Sequence, residues 1–210
     1  MATVKGKPAG YFEILLAMDC ETTGLAFNSD DPSQEADGRY YQPISWGFIV
    51  ANAHTLQPIE KLYMEIQWDG KSEWNSRAQG VHGLSKEHLA ENGVTEEEAV
   101  EVLVNFLIKY FGPNGNIRTL GHNVATFDLW FLKQMLRRHD IDIFRFGNRH
   151  VDTSSLGFVN MEVFTSDQLF DQIGLPIRDP SKHNALTDAE YSLESARRMR
   201  TIFKIGLGEE

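Results

Sequence analysis

Five residues of this chain have the types and spacing for metal-assisted chemistry, and they lie far apart in sequence: Asp19 and Glu21, then Asp128, then His183 and Asp188. Asp19 and Glu21 close an apolar run, Leu15-Leu16-Ala17-Met18, and the turn Thr22-Thr23-Gly24 follows at once. Residues two apart on a strand share a face. Both carboxylates should therefore point the same way, at the end of a strand whose earlier residues are buried. At about 4 Å and an effective dielectric of 20, two such charges repel by roughly 4 kcal/mol. A divalent cation between them relieves that repulsion. The plainer alternative is a surface strand end with two solvated acids, and this stretch by itself does not separate the two.

The distant acids sit at helix starts. Gly121-His122-Asn123-Val124-Ala125-Thr126-Phe127-Asp128 follows a short apolar run and opens a helical pattern. His183-Asn184-Ala185-Leu186-Thr187-Asp188 opens another, with spacing H-x-x-x-x-D. Taken singly, each acid also reads as a first-turn helix acid favoured by the helix dipole, and the histidine as a capped loop residue.

The elements that must carry these residues read as follows. Residues 11–18 form a first strand and 44–51 a second, apolar with β-branched and aromatic side chains. Residues 61–68 alternate and suit a half-buried edge strand. Three strands in a row suggest an antiparallel meander. Thr95-Glu96-Glu97-Glu98 is a capping box, with Ala99, Leu103, Phe106, Leu107 and Tyr110 on one helical face and Gly112-Pro113 as the stop. Short strands are expected at 117–121 and 151–152, and helices at 127–139, 166–173 and 187–203. Residues 28–40 are polar and carry Asp30, Asp31, Pro32 and Gly38, so a loop is expected there. Strands first, then alternating helices and strands, predict an α/β fold with a mixed sheet and helices packed on it.

Composition narrows the partners. The chain has 210 residues, 41% of them hydrophobic, enough for one α/β domain with a sizeable core. A formal net charge of -10 argues against a broad basic face for duplex nucleic acid. A narrow site that holds a few nucleotides through metals and stacking remains compatible. Cys20 is the only cysteine, which excludes an internal disulfide and a Cys-based zinc site and fits a reducing, intracellular (cytoplasmic) setting. No apolar run approaches a membrane span, so no membrane partner is expected. Residues 1–10 carry Lys5 and Lys7 without an apolar stretch and read as a flexible lead-in rather than a secretory signal.

Together these motifs resemble the DEDDh 3′→5′ exonucleases, a branch of the ribonuclease H-like superfamily. That family carries D-x-E on its first strand, H-N-x(2,3)-[FY]-D near the middle and H-x-A-x-x-D near the end. Val81-His82-Gly83-Leu84-Ser85 also resembles its H-G-[IL]-[ST] loop, and Val151-Asp152-Thr153 its V-D-T segment. The resemblance spans roughly residues 11–203 and implies a single exonuclease domain over 11–205, built on a five-stranded mixed sheet flanked by helices. It departs in two places. The stretch from His122 to Asp128 has one residue more than in many members, and the loop 28–40 is longer than a minimal connection.

The resemblance also implies roles. Asp19 would bridge two Mg²⁺ or Mn²⁺ ions, Glu21 and Asp188 would hold the one that carries the attacking water, and Asp128 would serve the other. His183 would be the general base. Two ions about 3.5–4 Å apart suit phosphodiester hydrolysis, and oxygen ligands suit these metals. Thr22, Thr23 and Leu25 would touch the terminal nucleotide, with His82 as a further substrate contact. Asn123 belongs with these candidates, although support of the site suits both it and Phe127 better. Phe27, Trp68 and Trp74 are stacking candidates for which packing is the plainer role. Cys20 should point into the core and takes no part in the chemistry. The implied activity is release of nucleoside 5′-monophosphates from single-stranded 3′ ends. DNA is favoured over RNA because D-x-E-T-T-G-L resembles the proofreading form, which also raises a polymerase as a partner. The runner-up is an exoribonuclease of the ribonuclease T or oligoribonuclease kind. A non-catalytic binding module would be expected to lack one of the five residues, and all five are here.

Overall fold

The computed structural model describes residues 13–24, 41–179 and 183–206. The lead-in 1–10, the loop 28–40, Leu25 and Phe27 lie outside the described residues. In chain order the described elements are β1 (Ile14–Thr22), β2 (Pro43–Asn52), β3 (Pro58–Glu65), α1 (Ser76–His82), α2 (Lys86–Asn92), α3 (Glu96–Phe111), β4 (Asn116–Ile117), β5 (Thr119–Gly121), α4 (Asp128–Arg138), β6 (Arg145–Phe146), β7 (Val151–Asp152), α5 (Thr153–Met161), α6 (Ser166–Gln172) and α7 (Ala185–Gly206).

The main sheet has the order β3-β2-β1-β5-β7. The pairs β1/β2 and β2/β3 are antiparallel, and β1/β5 and β5/β7 are parallel. This is the mixed five-stranded sheet flanked by helices that the resemblance implies, with the expected meander and with β3 at the edge. β1 lies at its centre. Its register with β2 pairs Met18 with Phe48, Asp19 with Gly47, Cys20 with Trp46 and Glu21 with Ser45.

The pleat divides β1 and β2 into two faces. Leu16, Met18, Cys20, Trp46, Phe48 and Val50 join one cluster, which α3 closes with Ala99, Leu103 and Leu107 and α4 with Leu129, Leu132 and Met135. Leu15, Ala17, Ile49 and Ala51 join another, closed by Ala189, Leu193 and Ala196 of α7. The first face is built of large side chains; Trp46 stacks on Phe48 with ring centroids 5.2 Å apart. The second sets Ala17 and Ala51 beside Leu15 and Ile49, and α7 lies across β1, β2 and β5. A Cβ on Gly47 would come within 2.4 Å of the backbone of Ala185 and Leu186. The first turn of α7 therefore rests on the sheet through a residue that has no side chain.

Local chemistry sets the element ends. Thr95 and Glu98 form the expected capping box on α3. The segment read as one strand over 117–121 is two. Asn116–Ile117 pairs with Arg145–Phe146, while Thr119–Gly121 pairs with β1 and β7, so the chain changes sheets at Arg118. The edge strand ends at Glu65, three residues earlier than its alternation suggests, because the backbone N–H of Gln67 turns away to the carbonyl of Val94. His82 is not in a loop: it ends α1, and Gly83 follows at φ 72°, a left-handed cap that favours glycine. Among the described residues no helix is long and apolar enough to cross a membrane.

Candidate active site

β1 carries Asp19 and Glu21 on the face that continues Leu15 and Ala17, so the α7 side of the strand changes from apolar to acidic after Met18. Here the carboxylates meet the start of α7. Asn184 stands just ahead of it, and its Oδ1 accepts from the backbone N–H groups of Leu186 and Thr187 at 3.1 and 3.2 Å. These bonds satisfy first-turn donors of the helix. They leave His183 outside the helix and Asp188 buried in its first turn. The His183 N–H donates to the carbonyl of Val81 at 3.1 Å, which moors this segment to the end of α1. The outcome is that single oxygen or nitrogen atoms of Glu21, His183 and Asp188 lie within 4.8 Å of one another, a group that could hold a metal ion. Nδ1 of His183 stands 3.5 Å from Oδ2 of Asp188.

Asp128 reaches the same place from the other side of the sheet. It is 2% exposed at the start of α4, and its Oδ1 accepts from the backbone N–H of Cys20 at 2.9 Å. Cys20 thus does two things. It packs in the large-residue core, as its strand position dictates, and it also anchors Asp128 beside Asp19.

The acids disturb one another. Burial raises the Asp19 carboxyl well above the ordinary range, and the charges of Asp128, Asp188 and Glu21 add to this. Burial and then Asp188 push Glu21 up to about 8. Burial pushes Asp128 up to about 7 despite the hydrogen bonds from Cys20. Burial also raises Asp188, against the opposing pull of Arg178 and His183. Buried carboxylates that resist ionisation together favour a cation among them.

Asp19, Glu21, His183 and Asp188 line a cavity of about 230 Å³, together with Thr22, His82, His122, Phe127, Phe170 and Arg178. That is smaller than a drug-sized ligand pocket, and it suits the tip of a chain. His82 is 4% exposed; its Nδ1 accepts from the Leu84 N–H at 3.0 Å, which leaves the proton on Nε2. Among the described residues Nε2 has no hydrogen-bond partner, and it belongs to a ring facing the cavity. Burial and then His183 hold the His82 imidazole down to about 4, so it stays neutral. Trp74 meets it edge-on at 6.2 Å, and Trp68 meets Trp74 at 6.0 Å.

Two of the substrate candidates, Asn123 and Thr23, do not line the cavity. Asn123 is exposed, with φ 59°, and its carbonyl accepts from the N–H groups of Thr126 and Phe127. It shapes the turn, while its neighbour His122 faces the cavity. Thr23 is 1% exposed, and its hydroxyl accepts from the Gln42 N–H at 3.0 Å. It ties β1 to the segment before β2 rather than facing the cavity. Thr22 does line the cavity, with its hydroxyl donated to the Gly24 carbonyl.

Arg178 has no counterpart in the sequence reading. Its side chain is 6% exposed. Nη1 pairs with Oδ1 of Asp188; Nη2 reaches Asp167 Oδ1 at 2.5 Å and Ser166 Oγ at 3.0 Å. The guanidinium lies over the Phe170 ring at 4.7 Å.

The model of a family described as Exonuclease (RNase_T) matches residues 16–195. Among solved structures, E. coli Exonuclease I in complex with a 5cy-dT13 oligonucleotide is 16% identical with a TM-score of 0.67 and covers 90% of this chain. The present chain spans only 40% of that protein. The nuclease domain of 3′hExo, described as a DEDDh family member bound to rAMP, is 12% identical with a TM-score of 0.65, covering 92% of this chain and 94% of that one. A moderately thermophilic Exonuclease I from Methylocaldum szegediense is 20% identical with a TM-score of 0.67, covering 93% and 43%. No curated protein sequence matches significantly.

Proposed function

Because this chain belongs to the exonuclease family, we propose that it is a divalent-metal-dependent 3′→5′ exonuclease that releases nucleoside 5′-monophosphates from single-stranded ends, DNA in preference to RNA. The observation that carries this reading is the meeting of Glu21, His183 and Asp188 within 4.8 Å at the end of the strand that also bears Asp19.

The donor set fits hard divalent ions, with carboxylate oxygens in a buried, acidic recess. Asp19, Glu21, Asp128 and Asp188 would hold two Mg²⁺ or Mn²⁺ ions. When bound, such ions neutralise phosphate charge and ease deprotonation of water. The chain's own residues do the rest. His183 turns Nδ1 toward Asp188, which leaves Nε2 to take the proton of the attacking water. The mooring of His183 to Val81 limits where that nitrogen can stand. The neutral His82 Nε2–H suits donation to a substrate phosphate or base oxygen and would not titrate away near neutrality. Thr22 and Phe127 line the cavity beside the acids and would bound the terminal nucleotide.

The test uses single-stranded DNA and RNA of one sequence, each labelled at the 5′ or the 3′ end, digested with Mg²⁺, with Mn²⁺ and with chelator. Mononucleotides should leave from the 3′ end, and chelator should stop the reaction. Full activity in chelator, or cleavage from the 5′ end, would sink the proposal. Faster loss of RNA would move the substrate to the exoribonuclease reading and keep the mechanism.

A further inference from the structure

Asp188 has two carboxylate oxygens, and both already face a partner. Oδ1 pairs with Arg178 Nη1, and Oδ2 faces His183 Nδ1. An ion held between Glu21 and Asp188 must therefore come close to a buried guanidinium. The charge of Arg178 is felt at Glu21 as well as at Asp188, so both carboxylates are already partly compensated. A cation entering such a place loses attraction and meets like charge.

Arg178 is also held from its far side. Nε and Nη2 both donate to Asp167 Oδ1, Nη2 donates to Ser166 Oγ, and the group rests on Phe170. Asp167 is 65% exposed, so its charge needs no guanidinium to be tolerated there. Among the described residues, only the Nη1 contact holds the guanidinium to Asp188. Every other hold can stay.

We propose that Arg178 is a positioning residue that competes with a divalent ion for Asp188 and is received by Asp167 when the ion binds. The guanidinium holds the Asp188 carboxylate aimed at Glu21 and His183, and it yields a single contact to the ion. Two carboxylates on opposite sides of one arginine thus have opposite effects on metal affinity. The inference rests on the metal-dependent reading above. It concerns binding of the ion itself, so it is measured without nucleic acid.

The experiment is a calorimetric Mn²⁺ titration of the full chain, with melting temperatures recorded in chelator and in Mn²⁺. Removing the competitor in Arg178→Gln should tighten Mn²⁺ binding about tenfold, the scale of an ordinary coupling between sites, and should lower the melting temperature in chelator. Asp167→Asn removes the receiving carboxylate and should weaken Mn²⁺ binding by several-fold. Arg178→Lys keeps the charge but not the fork, and should fall between wild type and Arg178→Gln. Unchanged or weaker binding by Arg178→Gln overturns the proposal, as does unchanged or tighter binding by Asp167→Asn. If Arg178→Gln does not fold, the exposed Asp167 variant decides alone. Absence of Mn²⁺ binding in wild type would overturn the metal-dependent reading first, and this one with it.

Discussion

The two faces of β1 and β2 belong to the same strands and are used in opposite ways. On the α3/α4 face, Met18, Trp46 and Phe48 are all fully buried, and large side chains hold the helices off the sheet. On the α7 face, Ala17, Ala51 and Gly47 meet Ala185 and Ala189, and the helix backbone comes down onto the strand. The first face stores most of the apolar burial. The second gives up side-chain volume for proximity, and that proximity brings Asp188 within reach of Glu21. Core and chemistry are thus separated by the pleat, residue by residue, along one strand.

The sharpest way to break this contrast is to mutate neighbours that point to opposite faces. Asp19→Asn should lower kcat on the order of 10³-fold, as expected when a preorganised charge is removed from the reacting centre. Its melting temperature in chelator should be unchanged or higher, because a repelling carboxylate is gone. Cys20→Ala keeps the backbone N–H that holds Asp128 and loses a small buried side chain. Its kcat should stay within about tenfold of wild type, the scale of one lost weak hydrogen bond, with a lower melting temperature. Steady-state kinetics and thermal melts on both variants check this. A folded Cys20→Ala as inactive as Asp19→Asn would erase the distinction between the faces.

Much of this contrast was legible in the residues. The apolar run ending in D-x-E announces β1 and the direction of its acids, and the box at Thr95 and Glu98 announces the start of α3, because both signals are local. Two short helices escaped notice. α1 buries only Ala78 and His82, and α2 only Leu89, too few apolar positions for a helical period to show. His82 was therefore read into a loop, whereas it ends α1 and lines the cavity. Asn123 and His122 exchange places because a left-handed residue redirects the chain, which no spacing rule registers. Arg178 was invisible for another reason. Its partners Asp167 and Asp188 stand roughly three helical turns away on either side, in different helices, and only the tertiary fold brings them to one guanidinium. The small-residue stripe of α7 was present as Ala185, Ala189 and Ala196, but its meaning depends on Gly47, more than a hundred residues earlier.

Gly47 offers a second, smaller test of the same contrast. Gly47→Ala places a methyl group where Ala185 and Leu186 backbone atoms lie 2.4 Å away, so the start of α7 must retreat by a fraction of an ångström to an ångström. A shift of that size moves His183 and Asp188 away from Asp19 and Glu21, and should cost on the order of 100-fold in kcat. Phe48→Leu, one residue along and on the other face, should cost stability while keeping kcat near wild type. If the two variants lose activity equally at equal stability, the close approach of α7 is not what aligns the site.

The smallest expected effect is on stability, and its sign follows from the raised acids. Glu21 is held up to about 8 from 4.5, and Asp128 up to about 7 from 3.8. Above its ordinary value the unfolded chain has released these protons while the folded chain keeps them, so raising pH through that interval removes stability. His82 acts the other way. It is held down to about 4 from 6.5, so its contribution grows as pH rises to about 6.5 and is constant above that. The interval from about 6.5 to 8 therefore isolates the acids, with Glu21 titrating throughout and Asp128 in its lower part. In chelator the melting temperature should fall by several degrees across it, since each kcal/mol is worth about 2–4 °C in a chain of this size. Mn²⁺ should flatten the slope, because a bound cation replaces the protons as counter-charge. Asp19→Asn should flatten it partly, by removing one of the interacting carboxylates. Met18, Trp46 and Phe48 cannot titrate, so the slope belongs to the acids around the end of β1 and not to the large-residue core. A melting temperature in chelator that stays level from pH 6.5 to 8 would mean that these carboxylates share no strained environment, and the apolar-to-acidic change along β1 would lose its energetic consequence.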